Sequence, residues 1–296
     1  MSVAGDIILS VRDQIPDPVA DPADDGAAFT FATLLRWIND ANRIICGGTP
    51  VIQDWYGIPS AEGMSIYEVP NYITSVEQAW YNLFPLTRSP ELNNIFLTKI
   101  EARSWWFGPH AIHVNPRIHV WPACDTAGAV TNLSSGISAT GPAIPVVSTD
   151  GFLAFGFLRV EDELVLYQTV NTGPSTFTNV LRGQGGTVAT SHSIGAPVTS
   201  CNIFFKCYRL PVPLVTVNDI VELPQNLWPL TELYVLSKVR MAEQNVQEGQ
   251  LLMKQFLGYV DKLAEKSPQI KGLRQGMQVQ TDVSALELFG GHLIVR

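Results

Sequence analysis

The chain has 296 residues, 46% of them hydrophobic and only 16% charged, which is ample material for one large or two modest domains and less charge than the ~25% of an ordinary soluble domain. A chain so poor in charge is expected to bury surface against partners as well as within itself. Its net charge of −8 excludes steady gripping of nucleic acid, because neutralising phosphates takes a basic excess; an acidic wall instead suits a passage that DNA traverses without sticking.

The first residues carry Asp6 and Asp13 where a signal peptide needs a basic segment and a long apolar run. No stretch approaches the ~18 apolar residues of a membrane span. Assembly in the cytosol, with no membrane partner, is therefore expected. Cys46, Cys124, Cys201 and Cys207 form no CxxC pair, so they are expected as thiols rather than zinc ligands.

In chain order, Asp6 to Gln14 predicts a short helix, with Ile7, Ile8, Val11 and Ile15 on roughly one face. Pro16 to Gly26 reads as an acidic, proline-rich exposed loop. Thr30 predicts the cap of a second helix running to about Cys46, with Leu34, Leu35, Ile38, Ala41 and Ile45 as its stripe. Residues 64–84 read as two extended segments, around Ile66–Val69 and Tyr72–Leu83. Ser89–Arg103 reads as a helix with Ser89 as cap and Pro90 at its first position. Ile118–Trp121 is a predicted strand ended by Pro122.

Residues 126–200 are rich in Gly, Ser, Thr and Ala, and predict a small all-β module with strands over Phe152–Val160, Leu164–Val170 and Phe177–Leu181. Ile203–Leu210 is again a strand. The economical arrangement is a hairpin of 117–122 with 202–209 whose tip is replaced by this module, since hairpin tips tolerate insertions. Cys124 and Cys201 would then lie close across its neck.

Beyond Pro229, Val235, Val239, Ala242, Val246, Gly249, Met253, Phe256, Val260 and Leu263 recur at spacings of 4 and 3. One long helix with a narrow apolar seam is predicted, and such a seam wants a partner helix. The last segment, 267–296, has four glycines and ends in an apolar stretch, Leu286, Leu288, Phe289, Leu293, Ile294 and Val295; a terminus of this kind is ordered by a partner or not at all.

No constellation predicts catalysis, a cofactor or a metal. His110, His113 and His119 lack converging Cys or acidic ligands. Asp150, Ser191 and His192 have the residue types of a serine triad, but the serine is not in a GxSxG turn. The stretch Arg182-Gly-Gln-Gly-Gly-Thr187 lacks a P-loop lysine and a following helix. Glu161, Asp162 and Glu163 read as a solvated turn.

Asp6-Ile-Ile-Leu-Ser-Val-Arg-Asp-Gln14, the acidic loop after it, and Leu34-Leu-Arg-Trp-Ile-Asn-Asp-Ala-Asn42 resemble the start of head-to-tail adaptor (connector) proteins of tailed bacteriophages. Trp105–Pro109, Ile118-His-Val-Trp-Pro122, Tyr208-Arg-Leu-Pro-Val-Pro-Leu214, Glu222-Leu-Pro224 and the long helix continue the resemblance over about 200 residues. The stretch Gly156–Val198 resembles small β modules of phage tail and baseplate proteins.

The adaptor resemblance implies an α+β chain: a mainly helical core (1–125 and 201–266) with a long C-terminal helix and a small β-hairpin or sheet, the inserted all-β module (126–200), and an extended tail (267–296). It implies self-association into a ring of twelve at the neck of the virion, between the portal protein and a tail tube or nozzle protein. DNA would pass without specific binding. The C-terminal residues named above would dock on the portal, and the insert would touch a tail fibre or capsid protein. The alternatives are a module recognising a carbohydrate or host surface through 126–200, and a cell-wall hydrolase, for which the sequence offers no acid or nucleophile set.

Overall fold

The computed structural model describes residues 3–15, 21, 23–24, 28–88, 104–108, 116–121 and 123–266. The chain divides into two compact units. One joins Met1–Pro50 to Pro213–Arg296, and the other is Val51–Val212.

The first unit holds the described helices α1 (Ala4–Arg12), α2 (Phe31–Gly48), α3 (Trp228–Ala242) and α4 (Val246–Lys266). Helix α1 opens where the Asp6 carboxylate accepts the Val3 N–H, and it buries Ile7, Ile8 and Val11. Its Arg12 is also buried, and donates to the carbonyls of Asp21 and Asp24, so the acidic loop is tied back to the helix. Thr30 caps α2 by accepting the Thr33 N–H. The stripe Leu34, Leu35, Ile38, Ala41, Ile45 is buried, and Asn42 beside it accepts the Thr231 hydroxyl of α3 at 2.9 Å.

The single long helix predicted from the seam is two helices. The chain leaves α3 at Glu243, Gln244 adopts φ +65°, and α4 starts at Val246. Asn245 N–H closes on the Arg240 carbonyl and its side chain bonds Glu248. The 4-3 spacing runs through the break, so the two halves of the stripe fold onto each other as an antiparallel pair. The Tyr234 and Phe256 rings lie 5.1 Å apart, edge to face. Val235, Val239, Phe256 and Val260 are buried, Met253 is half-buried, and Val246 at the turn is exposed. The partner helix that the seam requires is its own second half.

The second unit carries the described strands. These are β1 (Ile52–Ile58), β2 (Ile66–Glu68), β3 (Ile73–Tyr81), β4 (Phe84–Pro85), β5 (Thr87–Arg88), β6 (Ser104–Gly108), β7 (Arg117–Trp121), β8 (Val130–Asn132), β9 (Ala143–Pro145), β10 (Gly156–Val160), β11 (Glu163–Tyr167), β12 (Thr169–Asn171), β13 (Thr176–Thr178), β14 (Leu181–Gln184), β15 (Pro197–Cys201) and β16 (Ile203–Arg209). They form four sheets, ordered β1-β16-β3-β4, β14-β11-β10-β15-β8, β12-β13-β9 and β2-β7-β6-β5. Pairing is antiparallel except for β5 with β6.

This overturns the expectation of a mainly helical core with a small hairpin. Sixteen described strands against four described helices make the chain mostly β. The predicted hairpin of 117–122 with 202–209 does not form either. Strand β7 pairs with β2 and β6, while β16 runs between β1 and β3.

Residues 126–200 have their own core, in which Leu133, Ile144, Val146, Leu158, Val160, Val165, Tyr167, Phe177 and Val198 meet. Their main sheet is nevertheless buried on both faces. Side chains alternate along a strand, so Leu158, Val160, Val165 and Tyr167 face that core while Phe157 and Leu164 join the core of Tyr56, Val76, Ile118, Ile203 and Phe205. Cys124 and Cys201 are free, buried thiols within this second core, and burial pushes Cys201 up to about 12. The predicted helix Ser89–Arg103 and the tail 267–296 lie outside the described residues.

Gly249 sets how closely α3 and α4 pack: a Cβ there would stand 2.5 Å from Met241 Cγ and 2.8 Å from the Ser237 carbonyl oxygen. Gly→Ala in an exposed helix stabilises by up to ~1 kcal/mol. Here Gly249→Ala is expected to destabilise by ~1–3 kcal/mol through overpacking, read as a lower Tm of the helical circular-dichroism signal. An unchanged or raised Tm would show that the helices do not approach this closely.

Candidate functional site

Three features that lie apart in the sequence meet in one buried cluster: the acidic turn 161–163, the glycine-rich stretch 182–187 and His192. Strand β11 opens with Glu163, whose side chain is only 1% exposed. Arg182, on the neighbouring β14, donates from Nε to Glu163 Oε1 at 2.6 Å and from Nη2 to Oε2 at 2.7 Å. The backbone N–H groups of Gly183 and Thr190 donate to the same carboxylate. His192 places Nε2 2.8 Å from Glu163 Oε2 and Nδ1 2.7 Å from Glu161 Oε2. Burial alone would raise the Glu163 pKa, but the Arg182, His192 and Thr190 donors outweigh it and hold the carboxyl below its ordinary value. The expectation of a solvated turn therefore fails for Glu163, while Glu161 remains half exposed.

The glycine-rich stretch that follows is held against β1. Gly185 takes φ +65°, and a Cβ there would stand 2.8 Å from the Trp55 carbonyl oxygen and from Tyr56 Cδ2. Its N–H faces Asp54 Oδ1 at 3.4 Å, and its carbonyl accepts the Tyr72 hydroxyl at 3.0 Å. Asp54 in turn pairs with Arg209 Nε at 2.7 Å, with both side chains largely buried. A further, half-buried arginine of the region, Arg159, donates to the Tyr56 hydroxyl at 2.7 Å.

The Gly185 and Arg159 contacts fasten the 126–200 strands to the sheet around β16, while the Glu163 cluster ties those strands to one another. Both ring nitrogens of His192 face glutamates, so the ring is engaged away from Asp150 and Ser191, and Ser191 is exposed. Among the described residues no group of three or more His, Cys, Asp or Glu is placed to hold a metal. His119 lies on β7, opposite Ile66 and Trp106; His110 and His113 lie outside the described residues. Of the aromatics in the module, Phe157, Tyr167 and Phe177 are buried, Phe152 packs on Phe177, and Phe155 is 51% exposed.

An open concave surface among the described residues is in the helical unit. Leu227, Leu230 and Leu233, at the start of α3, face Tyr259 and Leu263, at the end of α4, across a groove of about 650 Å³. Lys262 stands at its rim with its ammonium over the Tyr259 ring. Tyr259 and Leu251 of α4 are more than half exposed. The seam predicted Val260 and Leu263 on this helix, but the groove itself depends on the reversal at Gln244, which nothing in the sequence marks. The residues expected to bind a portal, Leu286, Leu288, Phe289, Leu293, Ile294 and Val295, lie outside the described residues.

No family model matches the sequence, and comparison with curated proteins gives no match.

The tie makes a pH-dependent contribution whose sign follows from Glu163. Its folded pKa is lowered, so the stabilisation is complete above the unfolded value near 4.5 and is lost as pH falls through the folded value. Glu163→Gln, which leaves Arg182 buried without a counter-charge, is expected to destabilise by ~3–5 kcal/mol at pH 7. Urea midpoints should show the gap between the two proteins narrowing below about pH 4.5. A gap that stays constant down to pH 3 would show that the carboxylate charge is not what holds the cluster.

Proposed function

We propose that the protein is a non-enzymatic head-to-tail adaptor of a tailed bacteriophage, a ring subunit at the virion neck between the portal and the tail. The observation that carries this reading is the composition of the helical unit. The segments that resemble adaptors at the start of the chain, now α1 and α2, pack with α3 and α4 from its far end. The β unit is interposed between them at Pro50 and Pro213.

The chemistry of such a subunit is burial, register and symmetry. A ring closes when one heterologous contact repeats by a rotation that returns to its start. The open α3–α4 groove and the exposed apolar residues on α4 offer surface for that contact or for the portal. The net charge of −8 per copy repels the duplex from the wall of a ring, so the genome passes without specific binding. The β unit would reach a tail tube, nozzle, fibre or capsid protein, and residues 267–296 would engage the portal.

Carbohydrate recognition through 126–200 is less well supported, because of that module's five candidate aromatics Tyr167 and Phe177 fill its own core, Phe152 packs against it and Phe157 is buried in the neighbouring one. Mass measurement of the purified chain, alone and mixed with its phage's portal, tests the proposal. The expected result is a species near 32.5 kDa that joins the portal in a fixed multiple. A chain that ignores the portal and binds a glycan or cell surface would overturn the adaptor reading.

A further inference from the structure

The geometry points to the α3–α4 groove as the docking site for the apolar end of the same chain, Leu286–Val295. The groove is lined by Leu227, Leu230, Leu233, Leu263 and the Tyr259 ring, with Asn226, Gln255 and Lys262 as its polar members. It lies at the open end of the helix pair, opposite the Gln244 reversal. Residue 266, where α4 ends, is within one helical turn of Leu263.

Chain length and position argue for this occupant. Residues 267–285 span up to ~65 Å when extended, far more than is needed to return to a groove that begins beside their origin. Six apolar side chains then follow within ten residues, Leu286, Leu288, Phe289, Leu293, Ile294 and Val295. They are the one strongly apolar stretch in the 30 residues beyond α4. Glu287 interrupts them and is complementary to Lys262 at the groove rim. A tethered segment faces its site at an effective concentration of order 1 mM, so an affinity of only ~0.1 mM keeps the groove mostly filled. The free subunit thereby covers its apolar groove with its own end. Docking itself does not depend on the adaptor reading; only the further step, in which a portal competes for that end, rests on it.

Hydrogen exchange on the full chain at low concentration tests the docking. Peptides covering 286–295 are expected to exchange at least about ten-fold more slowly than an unprotected chain. Phe289→Asp, which cannot unfold the helices, should abolish that protection and speed exchange at 227–233 and 259–263. Leu233→Glu should release 286–295 while leaving the buried positions around Val239 and Phe256 protected. Exchange of 286–295 at the unprotected rate in the wild-type chain would overturn the proposal. So would protection that appears only as the chain doubles in mass, which would make a second copy the occupant. Added portal that binds without exposing the groove would count against competition alone, because protection in the free chain is measured without it.

Discussion

Strand β16 is the constraint around which the β unit is built. Six of its seven residues are buried, and it pairs with seven residues of β1 on one side and seven of β3 on the other. A strand covered on both faces and both edges has no freedom of register, since a one-residue slip would exchange every side chain between two different environments. Its Phe204 stacks on Trp80 with planes 7° apart, and Trp55 and Phe157 close the same aromatic group. Such ring pairs add ~0.5–1.5 kcal/mol each beyond their burial. Its other end carries Arg209, which orients Asp54, which in turn meets the glycine-rich loop. One strand thus fixes the aromatic core, the position of β1 and the seat of the loop.

The polar tie explains why the 126–200 strands do not read as a free-standing module once folded. The main sheet shares its second face with the β16 core, and an apolar face alone would tolerate sliding. The polar contacts that cross to the β16 sheet do not tolerate it, because sliding would strip Gly185 from Asp54 and Tyr72 and Arg159 from Tyr56. The shared apolar face supplies attraction, Asp54, Tyr72 and Arg159 supply position across it, and Glu163, Arg182 and His192 brace the module's own strands against one another. Short outer strands complete the arrangement. At two and three residues, β4 and β8 present little unpaired backbone for another chain, although Phe84 and Val130 on them are exposed.

Local pattern made some of this legible and pairing made the rest opaque. Helices α1 and α2, the Thr30 cap and the strands β3, β7, β10, β11 and β16 follow from periodicity and from Pro and Gly punctuation. The mostly β character did not, because many strands are two to five residues long. Strand β1, Ile52-Gln-Asp-Trp-Tyr-Gly-Ile58, shows no alternation to announce it. Partner choice was equally hidden: 117–121 and 203–209 look like complementary strands, yet each has better neighbours elsewhere. The 4-3 stripe predicts one helix where the chain forms two, since such a stripe is satisfied equally by a straight rod and by a hairpin folded on itself. The reversal rests on Gln244 at positive φ, a residue without glycine's signature. The Glu163 cluster was visible only as three unrelated fragments, because its members are brought together by strand register across 30 residues.

The two units differ in how completely they satisfy their own apolar surface. In the β unit the five-stranded sheet is covered on both faces, and its exposed apolar residues are scattered over strand edges and turns, as on any protein surface. In the helical unit, α4 buries Phe256, Val260 and Ala264 on one side while Leu251 and Tyr259 face outward. Two antiparallel helices cannot enclose a stripe wider than their contact line. Gly249 lets the helices close against Ser237 and Met241 near their turn, and the larger side chains Leu230, Leu233, Tyr259 and Leu263 line the groove at the other end. A contiguous apolar groove, unlike scattered residues, is the kind of surface that distinguishes a binding groove from ordinary protein surface.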